Sequence, residues 1–106
     1  MFVADDEGRL VFYNEPAERI LGRRFAEAGE ISLAELPSLF APEAPDGTPL
    51  EFDMLPSVVA SRERRPAHSR FRITGLDGIK REISSTAFPL FGRQQEFLGV
   101  VAIFWE

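Results

Sequence analysis

The sequence predicts an α+β fold, an antiparallel β-sheet with short helices on one of its faces. Apolar residues recur in runs of strand length towards both ends of the chain, and reverse-turn residues separate these runs. The middle of the chain carries short helical patterns that proline and glycine interrupt. A chain of 106 residues is long enough for one domain with a buried core, so we treat residues 1–106 as a single domain.

The composition is that of a globular protein, and it argues against several classes of function. Of the residues, 44% are hydrophobic and 27% are charged, and no apolar run approaches the roughly 20 residues that cross a bilayer. We therefore expect no membrane segment, and nothing in the sequence resembles a signal peptide. The net charge of −5 argues against nucleic-acid binding, which favours a cationic surface. The absence of cysteine excludes thiolate chemistry and fits a reducing compartment, so we predict a cytoplasmic protein.

The first 22 residues predict a hairpin followed by a helix. Asp5 and Gly8 are turn residues, and they separate two short apolar segments. Asn14 is a typical N-cap, because its side-chain oxygen accepts a hydrogen bond from the first helical turn. Pro16 fits that first turn, where a backbone N–H has no intrahelical acceptor, and Gly22 is a typical helix stop.

The middle of the chain predicts two short helices. Ser32 and Glu35 have the spacing of a capping box, and Pro37 is expected to end the helix that they begin. A second helix is predicted from Leu55 to Arg64, since Pro56 is tolerated in a first turn. This second helix is expected to cover one face of the sheet.

The last third of the chain predicts three strands. After the second helix the apolar period becomes two, which is typical of a half-buried strand. Asp77 and Gly78 then form the tip of a hairpin that leads into a long strand. The final segment, 97–105, is apolar at nearly every position, so we expect both of its faces to be covered in the middle of the sheet.

These motifs together resemble PAS domains over essentially the whole chain. The family's opening pattern of a D-x-x-G turn, an asparagine, a small residue and a Leu-Gly pair is matched by Asp5, Gly8, Asn14, Ala17, Leu21 and Gly22. Later parts of the chain match in order, at Asp46-Gly47, Gly75-x-Asp77-Gly78 and Pro89-Leu90. The resemblance implies a sheet of about five antiparallel strands in the order 2-1-5-4-3.

The function that the resemblance implies is sensory. The chain looks like the PAS units of bacterial sensor histidine kinases and cyclic-dinucleotide enzymes, which sense or relay and do no chemistry. It would then be part of a larger signal-transduction protein and relay a signal through its last strand to an output domain. Two alternatives stay open, a small-molecule carrier or sensor whose occupied pocket is its whole function, and a small α+β enzyme. No catalytic group of residues supports the enzyme, because the single histidine, His68, lies among arginines.

No metal or cofactor is expected. The flavin light sensors of this fold use a reactive cysteine and a glutamine on the last strand, whereas this chain has no cysteine and has Val101 at the matching position. Haem-binding members supply a histidine from the helix before the third strand, and residues 55–64 contain none. Cysteinyl-flavin photochemistry is thus excluded, and non-covalent flavin and haem are disfavoured. His68 is expected to face solvent together with Arg70.

The face of the sheet that turns towards the helices is predicted to be a packed core or, as the alternative, the wall of a small pocket. Packing is the commoner outcome for an apolar face. If a ligand binds, we expect a small apolar or weakly acidic metabolite that Arg81 and the serines orient. The candidate pocket residues are Phe12, Ser69, Phe71, Ile73, Arg81, Ile83, Ser85, Val101 and Ile103.

The opposite face of the sheet is predicted to bind a partner. We expect Gly99, Val101, Ile103 and Trp105 to point inward, which turns the alternate residues of the last strand outward. The candidate interface residues are Val11, Tyr13, Leu98, Val100, Ala102 and Phe104. A monomer rarely exposes a contiguous apolar patch beyond a few hundred Å², so we predict a homodimer through this face.

Overall fold

The computed structural model describes residues 1–29 and 31–106. Within these residues, six strands form one antiparallel sheet: β1 (Phe2–Asp5), β2 (Arg9–Tyr13), β3 (Ile31–Ser32), β4 (Ala67–Thr74), β5 (Lys80–Phe91) and β6 (Phe97–Trp105). Their order is β3-β2-β1-β6-β5-β4, which places β6 in the middle. The predicted class and the predicted order 2-1-5-4-3 are confirmed, and the short edge strand β3 makes the sheet one strand larger than expected.

The described residues also form four α-helices: α1 (Glu15–Leu21), α2 (Phe25–Ala28), α3 (Leu36–Phe40) and α4 (Pro56–Glu63). Helix α4 packs against β4, β5 and β6, and it covers the inner face of the sheet as predicted. Among the residues that the structure describes, no helix is both long enough and apolar enough to span a membrane.

The turn between β1 and β2 is stabilised by an aspartate side chain. Asp5 Oδ1 accepts hydrogen bonds from the backbone N–H groups of Glu7 and Arg9, each at 2.9 Å. Gly8 has φ +80°, a left-handed conformation that glycine adopts without steric cost. Asp5 and Gly8 therefore form the turn that their sequence pattern predicts.

Helix α1 begins and ends at the predicted residues. Asn14 Oδ1 accepts a hydrogen bond of 3.2 Å from the backbone N–H of Ala17, which makes Asn14 the N-cap. Gly22 has φ +81° and donates its N–H to the Glu18 carbonyl at 2.9 Å, which ends the helix in the left-handed conformation.

The turn between β4 and β5 rests on the C-terminal end of α1. Asp77 Oδ1 accepts from the N–H of Ile79 at 3.1 Å, and Gly78 has φ +82°. Arg81 donates two hydrogen bonds to the Asp77 carboxylate, at 2.7 and 3.1 Å, and a third to the Ile20 carbonyl at 2.9 Å. The guanidinium thus joins the hairpin to the last turn of α1.

The prediction that Pro37 ends a helix is wrong. Ser32 Oγ does accept from the N–H of Ala34 at 3.2 Å, but the turn that it caps is a 3₁₀ turn, Leu33–Glu35. Pro37 lies in the first turn of the following helix, α3, where its missing N–H costs no hydrogen bond.

Strand β2 contains a β-bulge that changes which side chains enter the core. Val3 and Ala4 are successive residues of β1, but they pair with Phe12 and Leu10 of β2. Val11, which lies between these two, is therefore the extra residue of the bulge. Leu10 and Tyr13 are both buried, and Phe12 is 45% exposed on the outer face. The prediction that Phe12 points inward and Tyr13 outward is wrong, because the bulge shifts the alternation by one residue.

Strand β6 presents the opposite faces to those predicted. From Val100 onward its buried residues are Val100, Ala102 and Phe104, whereas Ile103 and Trp105 are 46% and 48% exposed. Val101 pairs directly with Phe88, an exposed residue of β5, on the outer face. Because β6 is apolar on both faces, alternation alone does not mark the face towards solvent.

Gly99 lets β6 approach β1 closely. It pairs with Asp5, and a Cβ added at Gly99 would lie 2.1 Å from the carbonyl oxygen of Ala4. Its φ of +149° is also a conformation that other residues rarely adopt. A side chain here would therefore push the two central strands apart.

Candidate functional site

A cavity of about 60 Å³ lies between the inner face of the sheet and the helices. Strands β1, β4, β5 and β6 line one side, and α1, α3 and the first turn of α4 line the other. Apart from two serines, every lining side chain is apolar. The lining residues are Phe2, Leu21, Leu36, Phe40, Pro42, Leu55, Pro56, Ser57, Phe71, Ile73, Ile83, Ser85 and Phe104.

The two serines are the polar part of the cavity wall. Ser57 is the second residue of α4, and Ser85 lies on β5. They are 5% and 6% exposed, which makes them the buried polar residues of the described core. Among the described residues, no fully buried side-chain nitrogen or oxygen lacks a hydrogen-bond partner.

The structure brings together four of the predicted pocket residues: Phe71, Ile73, Ile83 and Ser85 all line the cavity. The remaining five do not line it. Phe12, Val101 and Ile103 lie on the outer face, for the reasons given above, and Ser69 is half-buried beside the cavity wall. The Arg81 guanidinium is held by Asp77 and the Ile20 carbonyl, beside the turn between β4 and β5.

Several cavity residues were missed by the sequence analysis. Phe2 and Phe104 were not assigned to the pocket because the faces of β1 and β6 follow from strand pairing, which the residue pattern does not show. Ser57 was missed because a serine in a first helical turn is usually a solvated residue. One signal was available in the sequence. Ser57 lies three residues before Ala60 on α4, a spacing that places both residues on the buried face of the helix.

The outer face of the sheet carries a continuous apolar surface. Phe12 pairs with Val3, Val3 with Val101, and Val101 with Phe88, which forms one row across four strands. The outer apolar patch is this row together with Ile103 and Trp105 on β6. Phe12, Phe88, Ile103 and Trp105 are all exposed, so the patch faces solvent in the single chain.

The predicted interface residues divide between the two faces. Val11 and Leu98 are exposed, as predicted. The expectation that Tyr13, Val100, Ala102 and Phe104 face a partner is wrong, since all four are buried in the core. The Tyr13 hydroxyl donates a hydrogen bond of 2.8 Å to the Arg23 carbonyl, and burial raises the pKa of this phenol.

His68 lies beside the outer apolar patch. Its Nδ1 is 2.7 Å from Thr86 Oγ1, and its ring centroid is 6.3 Å from that of Trp105. It is exposed, as predicted, and it lies outside the cavity wall. Among the described residues, no three histidines, cysteines, aspartates or glutamates are grouped so as to hold a metal ion.

The chain is similar to solved structures of PAS domains, although no family model and no curated protein sequence matches it. The PAS domain of a protein from Colwellia psychrerythraea has a TM-score of 0.71 and 18% identity, over 99% of this chain and 82% of that one. The fungal blue-light photoreceptor Vivid, as its light-state dimer, has a TM-score of 0.74 and 14% identity, over 99% and 75%. Drosophila melanogaster Cycle PAS-B with bound ethylene glycol has a TM-score of 0.65 and 15% identity, over 99% and 98%.

Sequence identities this low establish the fold alone. The three structures are 14–18% identical to this chain, and each covers 99% of it. The chain therefore has the fold of PAS domains.

Proposed function

We propose that this chain is the sensory and protein-interaction module of a larger, cytoplasmic signal-transduction protein, and that it dimerises through the outer apolar patch. The observation that carries this proposal is the exposure of that patch. Exposed apolar surface of this extent on a sheet is typical of an interaction site. A signal received in the cavity would pass through β6 to the partner and to an output domain.

A second copy of the same chain is the partner that fits the patch. The row of Phe12, Val3, Val101 and Phe88 carries no charge, so the patch meets no like-charge repulsion when it faces itself across a two-fold axis. At its rim, Arg70 and Glu82 form an ion pair with each other at 3.0 Å. The solved structure of Vivid is a dimer, which supports pairing for a domain of this fold.

Strand β6 supplies the physical route between the cavity and the patch. Phe104 lines the cavity, and its direct neighbours Ile103 and Trp105 belong to the outer apolar patch. We expect a ligand that displaces Phe104 also to shift the backbone that holds these two side chains, because the core around it is closely packed. A change in occupancy of the cavity would in this way alter the surface that the partner contacts.

The site gives less support to the two alternative functions, a small-molecule carrier and a small enzyme. A carrier has no need of the outer apolar patch, which would then remain exposed to solvent. An enzyme needs acids, bases or nucleophiles that converge on a substrate, and the described cavity wall offers two serines without a neighbouring base. We therefore propose that the chain itself catalyses no reaction.

The test is sedimentation velocity over a concentration series for the parent chain, Ile103→Glu and Ile79→Glu. Ile103 and Ile79 are similarly exposed, at 46% and 54%, but Ile79 lies in the turn between β4 and β5, away from the patch. A glutamate at position 103 would be buried without a counter-ion in an apolar interface. We expect a dimer for the parent chain and for Ile79→Glu, and a monomer for Ile103→Glu.

Two results would contradict the proposal. The first is a parent chain that stays monomeric at every concentration. The second is a dimer of Ile103→Glu that is as stable as that of Ile79→Glu, which would place the interface elsewhere.

A further inference from the structure

We infer that the open edge of strand β4, the edge that faces away from β5 at His68 and Arg70, binds an extended acidic segment of a partner protein. The segment would add to the sheet as a further strand. Such addition takes its affinity from backbone hydrogen bonds and its specificity from side chains at alternate positions. The open edge is distinct from the outer apolar patch, so the inference goes beyond the proposed dimer and does not depend on it.

Strand β4 is the last strand of the sheet, and its second edge is only partly covered by the described residues. It pairs with β5 in one continuous register. On the other edge, the described residues contribute one isolated bridge, in which Glu43 and Arg72 exchange two backbone hydrogen bonds of 2.8 Å. Pro45 then begins a turn and has no N–H to donate, so the pairing ends there.

The bridge to Glu43 shows which backbone groups of β4 point towards the open edge. In an antiparallel ladder, the N–H and C=O of one residue point to the same side, and that side alternates along the strand. Since the N–H and C=O of Arg72 point to Glu43, those of Arg70 and His68 also point away from β5. No strand of the described chain pairs with them there, so they are available to an added strand.

The side chains at the open edge favour an acidic segment. Strand β4 contains two arginines and no aspartate or glutamate, although the net charge of the chain is −5. Phe71 and Ile73 are buried on the inner face, so the alternate residues His68, Arg70 and Arg72 lie on the outer face. Residues directly opposite one another in an antiparallel pair share a face. Two carboxylates, two residues apart on the segment, would therefore lie opposite Arg70 and His68.

Glu43 shows this arrangement within the chain itself. It lies opposite Arg72, and its Oε1 is 3.3 Å from Nζ of Lys80, the first residue of β5. This glutamate thus combines backbone pairing at the edge with a contact to a basic side chain of the next strand. The partner segment would continue the same antiparallel pairing towards the start of β4, where Pro66 has no N–H and bounds the site.

The ion pair between Arg70 and Glu82 leaves Arg70 able to bind the segment. Glu82 accepts from one terminal nitrogen of the guanidinium at 3.0 Å, and both side chains are exposed. Exposed pairs contribute little to stability, and the other guanidinium nitrogens can donate to a second carboxylate.

The same charges disfavour a second copy of this chain at the open edge. If two β4 edges paired, the arginines and the histidine of one copy would lie close to those of the other. Like charges on adjacent strands are unfavourable, and charged residues on an edge strand commonly prevent such self-pairing. The occupant that fits is therefore an acidic segment of a different protein.

The test is titration of a blocked peptide, Thr-Glu-Val-Glu-Val-Thr, into the parent chain while backbone amide resonances are followed by NMR. A second peptide has lysine at both glutamate positions, which reverses the charge. A third carries N-methyl groups on both glutamates, which keeps the charge but removes the N–H groups that would face β4. Its matched control is N-methylated on both valines, whose N–H groups would point away from β4.

We expect the glutamate peptide to bind the parent chain and to shift the amide resonances of His68 and Arg70, whose N–H groups gain an acceptor. The lysine peptide should bind about tenfold more weakly, because it loses the charge attraction. The peptide methylated on the glutamates should also bind about tenfold more weakly, because it loses two backbone hydrogen bonds. Methylation on the valines should leave binding unchanged.

The variants Arg70→Glu and Arg93→Glu test the site on the protein. Both replace an exposed arginine by glutamate, but Arg93 lies in the turn between β5 and β6, away from the open edge. Arg70→Glu should bind the glutamate peptide about tenfold more weakly than the parent chain does, and the lysine peptide more tightly. Arg93→Glu should bind both like the parent chain. A reversed preference requires a folded chain, so it cannot result from a loss of folding.

Four results would overturn the inference. Equal binding of the glutamate peptide with and without N-methyl glutamates would show charge attraction without strand addition. Equal binding of the lysine peptide would remove the preference for an acidic segment. Failure of every peptide to bind would leave the edge without this role. Resonances of His68 and Arg70 that shift with protein concentration alone would make a second copy the occupant. None of these results would alter the sedimentation of Ile103→Glu, so the dimer proposal is judged separately.

Discussion

Asp77 is the residue on which the contact between the β4–β5 turn and α1 depends. Its carboxylate accepts two hydrogen bonds from Arg81 and one from the N–H of Ile79. The hydrogen bonds from Arg81, followed by that from Ile79, lower the pKa of Asp77 from its ordinary value of 3.8 to about 2. Arg81 in turn donates to the Ile20 carbonyl, so the same side chains connect two elements.

The lowered pKa of Asp77 predicts a pH dependence of stability. A carboxyl that is more acidic in the folded chain stabilises the fold above its unfolded pKa, and this contribution is lost as the pH falls through the folded pKa. We expect Asp77→Asn to unfold at lower urea concentration than the parent chain at neutral pH, and the difference to shrink between about pH 4 and pH 2. Urea denaturation at a series of pH values measures this.

The control for this prediction is Asp46→Asn. Asp46 also accepts hydrogen bonds in an exposed turn, but its partner is Thr48 and not a cation. These hydrogen bonds also lower the pKa of Asp46, so Asp46→Asn should show a pH dependence of the same sign and serves to isolate the part that depends on Arg81. A difference between Asp77→Asn and the parent chain that stays constant down to pH 2 would contradict the assigned pKa.

Asn14 is the second residue whose single substitution has a predicted effect. Removing its side-chain oxygen leaves the N–H of Ala17 without its acceptor at the start of α1. We expect Asn14→Ala to lower the free energy of unfolding by about 1 kcal/mol. Thermal and chemical denaturation measure the loss, and Asn14→Asp, which keeps the acceptor, should retain most of the stability. An unchanged stability of Asn14→Ala would show that the cap contributes nothing.

At the scale of elements, strand β6 contributes to both faces of the sheet. It pairs with β1 on one side and β5 on the other, and it has one face in the core and one in the outer apolar patch. The same strand therefore contributes to stability through Val100, Ala102 and Phe104, and to the proposed interaction through Ile103 and Trp105. Substitutions at successive positions should have different consequences.

The faces of β6 are tested by the pair Val100→Ala and Val101→Ala, the same change at adjacent residues. Val100 is 1% exposed, whereas Val101 lies on the outer face and is only half-buried. Val100→Ala should lower the free energy of unfolding by about 2 kcal/mol, from lost burial of two methyl groups and the space left behind. Val101→Ala should change it by roughly 0.5 kcal/mol at a concentration where the chain is monomeric.

The measurement is denaturation by urea of both variants and the parent chain under the same dilute conditions. Equal losses for the two variants would contradict the separation of the faces. A larger loss for Val101→Ala would restore the faces that the sequence analysis predicted.

At the scale of the whole molecule, the sheet separates two surfaces for which different functions are proposed. The cavity lies on the helical side, and the outer apolar patch lies on the other side. The cavity is small and its described wall contains no histidine and no charged residue. These properties bear on whether the cavity can hold a chromophore.

We predict that the purified protein is colourless and stays so after incubation with flavin mononucleotide or haemin followed by gel filtration. The chain has no cysteine to form a flavin adduct. A cavity of about 60 Å³ takes roughly four to six non-hydrogen atoms, far fewer than the three fused rings of a flavin. The visible absorption spectrum measures the outcome, and a flavin or Soret band that elutes with the protein would contradict it.

The sequence alone determined the fold class, the position of β6 and the turn and cap residues, because these follow from local chemistry. Asp5, Gly8, Asn14 and Gly22 act through hydrogen bonds or backbone conformations within a few residues, so their roles can be predicted from spacing. Strands β4 and β5 were also predicted correctly, since polar residues mark their outer face.

Only the tertiary structure decided which side chains meet in the cavity and which face a partner. The bulge at Val11 arises from pairing with β1, and it reverses the orientation of Tyr13. In β6 both faces are apolar, so its orientation follows from its register with β1 and β5 and not from its own residues. Ser57 reaches the cavity because α4 packs on the sheet. These contacts join residues far apart in the chain, and a pattern of neighbouring residues carries no information about them.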